Sequence, residues 1–75
     1  MKQHTRVVLY RLRVESILCG TNEVSIDLTD EQYSCECEIL NELMDEGYIF
    51  GFWPNKYRIL HCDLTPKAMA IQIVR

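Results

Sequence analysis

Residues 39–53 read ILNELMDEGYIFGFW. The first half carries apolar residues at helical spacing, with Leu40, Leu43 and Met44 on one side. Gly47 can adopt the left-handed conformation that closes a helix, and the aromatic run YIFGFW is then free to become a strand. A helix that turns directly into a strand sets the framework for the rest of the chain.

Working back, Thr29 starts this helix, with Gln32 three residues on as its capping-box partner and Asp30 and Glu31 in the first turn. Before it, VSIDL (residues 24–28) alternates Val24, Ile26 and Leu28 with polar residues, which predicts a half-buried strand. A first helix runs from about residue 3 to residue 19 and stops at Gly20. Val7, Tyr10, Val14, Ile17 and Leu18 share one of its faces, and Val8, Leu12 and Cys19 form a second stripe roughly 100–140° away. Such a helix packs on two sides, either within its own chain or against a partner.

Working forward, Pro54-Asn55 suits the centre of a turn, and KYRILH runs back to complete a hairpin. LTPKAM then offers Thr65 as N-cap and Pro66 at the first helical position. The β-branched residues that follow, within 70–75, fit helix and extended chain equally. The expected fold is therefore α+β and winged-helix-like, a single domain over residues 1–75. It has three helices and a three-stranded antiparallel sheet near 24–28, 48–53 and 56–61, with the hairpin as the wing. The expected core is Val7, Tyr10, Val14, Ile17, Ile26, Leu28, Leu40, Leu43, Ile49 and Ile59.

The segments IDLTDEQY, ILNELMDEGYIFG and LTPKAM resemble the small YjcQ-like winged-helix proteins of bacteria and their phages. The similarity covers about residues 26–70, and Ala68 stands where the family pattern has Gly. The resemblance implies a winged helix without a settled activity. Only eighteen residues separate Leu28 from Gly47, which is short for two helices and a turn, so either the first of the pair is vestigial or a single helix does the work.

Composition narrows the function. A chain of 75 residues with 48% hydrophobic content forms one small core, and no apolar run approaches the ~20 residues of a membrane span. The basic N-terminus lacks the features of a signal peptide, so the expected location is cytoplasmic. Cys19, Cys35, Cys37 and Cys62 are then expected as reduced thiols, with no cofactor and no metal. The competing arrangement is a zinc site from Cys35, Cys37, His61 and Cys62. On a helix, however, Cys35 and Cys37 diverge by about 200°. Neither His4 nor His61 falls in a recognisable nucleophile–base motif, so no catalytic residue and no small-molecule substrate are expected.

Charge is segregated. Residues 1–13 carry Lys2, Arg6, Arg11 and Arg13, and residues 14–55 carry ten acids with no Lys or Arg. On a helical wheel with Tyr33, Cys37, Leu40 and Met44 inward, Glu31, Glu38, Glu42 and Asp45 form one outward acidic face. Each such charge ~10 Å from a phosphate meets ~0.4 kcal/mol of repulsion in unscreened water, which works against insertion into a DNA groove. Phosphate contacts then fall to the wing residues Trp53, Lys56 and Arg58, with Lys67 and the basic first helix beside them, and give weak, sequence-independent binding. Protein–protein contact is the preferred function, and a DNA-binding winged helix-turn-helix regulator is the alternative. The surplus stripe with Val8 and Leu12, meeting Met69 and Ile73 of a second copy, is the candidate dimer interface.

Overall fold

The computed structural model describes residues 1–53 and 57–73, Trp53 by its backbone alone. The order of elements is α1 (Gln3–Cys19), β1 (Glu23–Asp27), α2 (Asp30–Ser34), α3 (Glu36–Asp45), β2 (Ile49–Trp53), β3 (Ile59–Leu64) and α4 (Pro66–Met69). This is a mixed α+β architecture with a small antiparallel sheet of order β1-β3-β2. Among the described residues there are four helices where three were expected. The extra one arises at Cys35 (φ −107°, ψ 15°), where the expected single helix divides.

The end of α3 forms by the route its sequence suggests. Gly47 takes φ 76°, its N–H donates to the Met44 carbonyl at 3.0 Å, and the Tyr48 N–H donates to Leu43 at 2.8 Å. This pair of bonds is a Schellman closure, which satisfies carbonyls that a helix end otherwise strands. The α2 start is a full capping box: the Gln32 N–H donates to Thr29 Oγ1 at 3.1 Å, and the Thr29 N–H donates to Gln32 Oε1 at 3.0 Å. Thr65 caps α4, with Pro66 in the first turn. Residues 71–73 have no regular structure.

The third strand lies at 59–64 instead of 56–61, and it is central, with β1 and β2 on its two sides. Its alternation buries Leu60, Cys62 and Leu64 beside Val24 and Ile26 of β1, and turns Ile59, His61 and Asp63 outward. A bulge between Ile49 and Gly51 makes Phe50 the extra residue of β2, and Phe50 is exposed.

The core is built from Val8, Leu9 and Leu12 of α1, the inward strand residues, Ile39, Leu40 and Leu43 of α3, and Ala68 of α4. Ile26, Leu28, Leu40, Leu43 and Ile49 are buried as expected. Val7, Tyr10, Ile17 and Ile59 are exposed instead, and Val14 is half-buried. The inward face of α1 is Thr5, Val8, Leu9, Leu12 and Ser16. Its two polar members are buried because each has a partner. The Thr5 hydroxyl donates to Glu42 at 2.9 Å, and Ser16 donates to the Arg13 carbonyl at 2.6 Å.

Candidate functional site

Three surfaces are candidates for a functional site: the charged groups around α2 and α3, the outer face of the sheet, and the outer side of α1.

The expected acidic face is divided. Glu31 sits on α2, beyond the break at Cys35, and is exposed, as is Asp45 at the end of α3. Glu38 and Glu42 are half-buried beneath the start of α1. Glu38 pairs with Lys2, and Glu42 accepts from the Lys2 N–H at 3.0 Å and from the Thr5 hydroxyl. Those two donors hold the Glu42 carboxyl below the ordinary glutamate range, and the Glu38 carboxylate raises the Lys2 ammonium above the usual lysine value. The outward side of α3 is instead Cys37, Asn41, Met44 and Asp45, which spaces as one helical face and carries one acid. Tyr33, Cys37 and Met44, expected inside, are exposed because Ile39, Leu40 and Leu43 take the core side.

The expected cationic contacts are committed within the chain. Arg58 pairs with Asp30 and lies over the Tyr33 ring, 5.8 Å from its centroid. Lys67 donates to the Glu46 carbonyl at the end of α3 at 2.5 Å and sits 4.5 Å from the Tyr48 ring centroid. Arg11 bridges Gln32 Oε1 at 2.7 Å and the Asp27 carbonyl at 2.5 Å, which braces the capping box from outside. Arg13 donates from Nε to the Ile71 carbonyl at 2.9 Å. Lys56 and the Trp53 side chain lie outside the described residues.

The candidate dimer residues do not form a surface. Val8 and Leu12 are fully buried in their own domain, Met69 is half-buried against the same core, and Ile73 is half-buried. The stripe with Val8 and Leu12 is the one that faces the core. The face left to solvent is Val7, Tyr10, Ile17 and Leu18, exposed by 41%, 51%, 45% and 75%.

Two side-chain groupings were not visible along the sequence. On the outer sheet face, Ser25 Oγ lies 2.5 Å from His61 Nδ1, and His61 Nε2 lies 3.2 Å from Glu23 Oε1. Strand register creates this chain, since Ser25 pairs directly across from His61 and Glu23 is a diagonal neighbour. A serine, an imidazole and a carboxylate are the ingredients of a nucleophilic relay, but such relays work in water-excluded sites with donors poised for an oxyanion. Here Ser25 is exposed and the Glu23 side chain is 61% exposed. The second grouping brings His4, Cys35 and Glu38 together where α1 meets the start of α3, their ligand atoms all within 4.8 Å of one another.

The four cysteines are free thiols. His61 and Cys62 point to opposite faces of β3, one half-exposed and one in the core, so they cannot share an ion. Burial pushes the Cys62 thiol up to about 12, with a smaller contribution from the neighbouring Asp63 charge. No helix among the described residues is long and apolar enough to cross a membrane. Comparison of the chain with family models, curated proteins and solved structures finds no match.

Proposed function

We propose that this chain is a non-enzymatic, winged-helix-like binding module that acts through protein–protein contact, with the outer side of α1 as its contact face. The observation that carries this reading is the exposed stripe of Val7, Tyr10, Ile17 and Leu18. A helix whose opposite face already fills the core gains nothing internally from a second apolar stripe. A partner that covers it recovers ~25 cal/mol for each Å² of apolar surface removed from water. The basic residues of the chain support the same reading. Lys2, Arg11, Arg13, Arg58 and Lys67 are five of the eight Lys and Arg residues, and each already holds a partner in its own chain. A phosphate would have to compete with these partners. The helix–strand order and the β1-β3-β2 sheet are compatible with a winged helix of the kind the sequence resembles.

The test is sedimentation of the purified chain over a range of concentrations, beside variants Tyr10→Asp and Ile17→Asp. Self-association that both variants abolish, with the circular dichroism spectrum retained, supports the stripe as a contact between copies. If the wild type sediments as a monomer throughout, a photo-crosslinker at Ile17 should capture a different protein that the same crosslinker at Asp45 does not. Absence of both results removes the reading.

One observation favours the DNA alternative. The outward side of α3, Cys37, Asn41, Met44 and Asp45, carries less negative charge than the sequence suggests, so repulsion from a groove is smaller than four carboxylates would impose. Selection from a random duplex pool at physiological salt decides between the two. A recovered consensus site identifies a regulator, and failure to enrich any sequence leaves protein contact.

A further inference from the structure

We propose that His4, Cys35 and Glu38 form a binding site for a zinc-type divalent ion that ties the start of α1 to the start of α3. This goes beyond the contact function proposed above and does not rest on it. Three observations converge. The donor atoms are an imidazole nitrogen, a thiol sulfur and a carboxylate oxygen, the three donor types from which zinc sites are made, and they lie within 4.8 Å of one another in a half-buried position. His4 Nε2 is shut off from solvent and has no hydrogen-bond partner among the described residues, although buried polar atoms rarely go without one. It lies 3.7 Å from Glu38 Oε2, too far for a hydrogen bond and suited to an ion between them.

The third observation is how Glu38 is held. Its Oε1 pairs with the Lys2 ammonium, while Oε2 faces His4. One oxygen is thus anchored by an outer partner and the other is presented to the site, the arrangement by which surrounding groups orient a metal ligand. Cys35 caps α3 and Glu38 follows three residues later, so the two ligands share one side of the first turn, and His4 approaches from the first turn of α1. Bonds of about 2.0–2.3 Å set ligand separations near 3.5 Å in a tetrahedron. The donor atoms, all within 4.8 Å of one another, stand close to that spacing, and water supplies the fourth position. Binding converts the Cys35 thiol to a thiolate, and its proton passes to solvent. The set shares only Cys35 with the CEC-plus-His61-Cys62 arrangement considered from sequence.

The experiment uses the untagged full chain titrated with Co2+ and then with Zn2+. Co2+ should produce the near-ultraviolet thiolate charge-transfer band at one equivalent, and Zn2+ should displace it. Cys35→Ser should remove the band, while Cys37→Ser should leave it unchanged. His4→Gln and Glu38→Gln should each weaken uptake by more than about 100-fold, beyond the range for loss of an outer-shell partner. Because His4 and Glu38 are only half-buried, circular dichroism should show those variants folded even if Cys35→Ser is not. A band that survives in Cys35→Ser or disappears in Cys37→Ser overturns the assignment. So does uptake unaffected by His4→Gln and Glu38→Gln, or folded wild-type protein that takes up no Co2+ at millimolar concentration.

Discussion

The Thr65 hydroxyl donates to the Gly47 carbonyl at 2.6 Å while accepting from the Ala68 N–H at 3.3 Å. One oxygen therefore caps α4 and fastens it to the turn that ends α3. The adjoining backbone adds a second tie, as the Thr65 N–H donates to the Tyr48 carbonyl at 3.0 Å. Residues eighteen apart in sequence become a single joint.

Removing that hydroxyl should cost more than an ordinary cap. Thr65→Val loses the cap, worth ~1 kcal/mol, and leaves the Gly47 carbonyl without its side-chain donor, worth about another 1 kcal/mol. Thr65→Ser keeps both bonds and should stay within ~0.5 kcal/mol of the wild type. Urea denaturation of the three proteins checks the order.

Gly47 isolates a backbone effect. At φ 76° a side chain is strained, yet a Cβ built there meets nothing within 4 Å. Gly47→Ala should thus destabilise by about 1–2 kcal/mol through conformation alone, and Gly47→Asn by less, since Asn tolerates this region better. Equal losses for Ala and Asn would mean that a packing defect, and not the dihedral, sets the cost.

The orientation of α1 can be checked by a pair of truncations. Leu12→Ala removes a fully buried side chain and should cost ~2–5 kcal/mol, enough to threaten so small a domain. Ile17→Ala, on the exposed stripe, should change stability by no more than ~0.5 kcal/mol in the isolated chain. Thermal melts at low protein concentration give the comparison, and reversed magnitudes would mean that the helix is rotated.

Cys62 links stability to alkaline pH. Its thiol is raised in the folded state to about 12 from an ordinary value of 9.0, so the fold favours the protonated form. The contribution is fully present below pH 9, then falls as pH climbs from there toward about 12, because the unfolded chain ionises first. Cys62→Ala should flatten that decline in denaturant midpoints. At neutral pH a thiol reagent should label exposed Cys19 and Cys37 promptly and Cys62 only on unfolding.

Much of the architecture is legible because local chemistry marks its joints. Gly20 and Gly47 end helices, Thr29 with Gln32 and Thr65 with Pro66 start them, and VSIDL alternates as a strand with one face inside. The face of α1 is not legible, since both of its stripes are apolar and the choice is made by Thr5 and Ser16, polar residues whose partners lie elsewhere in the fold or in the preceding turn. The break at Cys35 carries neither Gly nor Pro, so nothing in the local sequence announces it. Displacement of the third strand to 59–64 follows from pairing with β1, which is a tertiary choice. The same holds for the candidate site. His4 meets Cys35 and Glu38 across more than thirty residues, and Ser25 meets His61 across thirty-six, so neither grouping leaves a spacing motif to find.

The order β1-β3-β2 has a consequence for how the chain acquires its shape during synthesis. Among the described residues β1 pairs with β3 alone, so Val24 and Ile26 gain their sheet neighbour only when residues 59–64 have left the ribosome. Helix α1 precedes the surfaces that bury Val8, Leu9 and Leu12, which come from β1, α3 and α4. The apolar faces of α1 and β1 are therefore covered largely by elements that follow them in the chain, an ordering that favours late closure of the core.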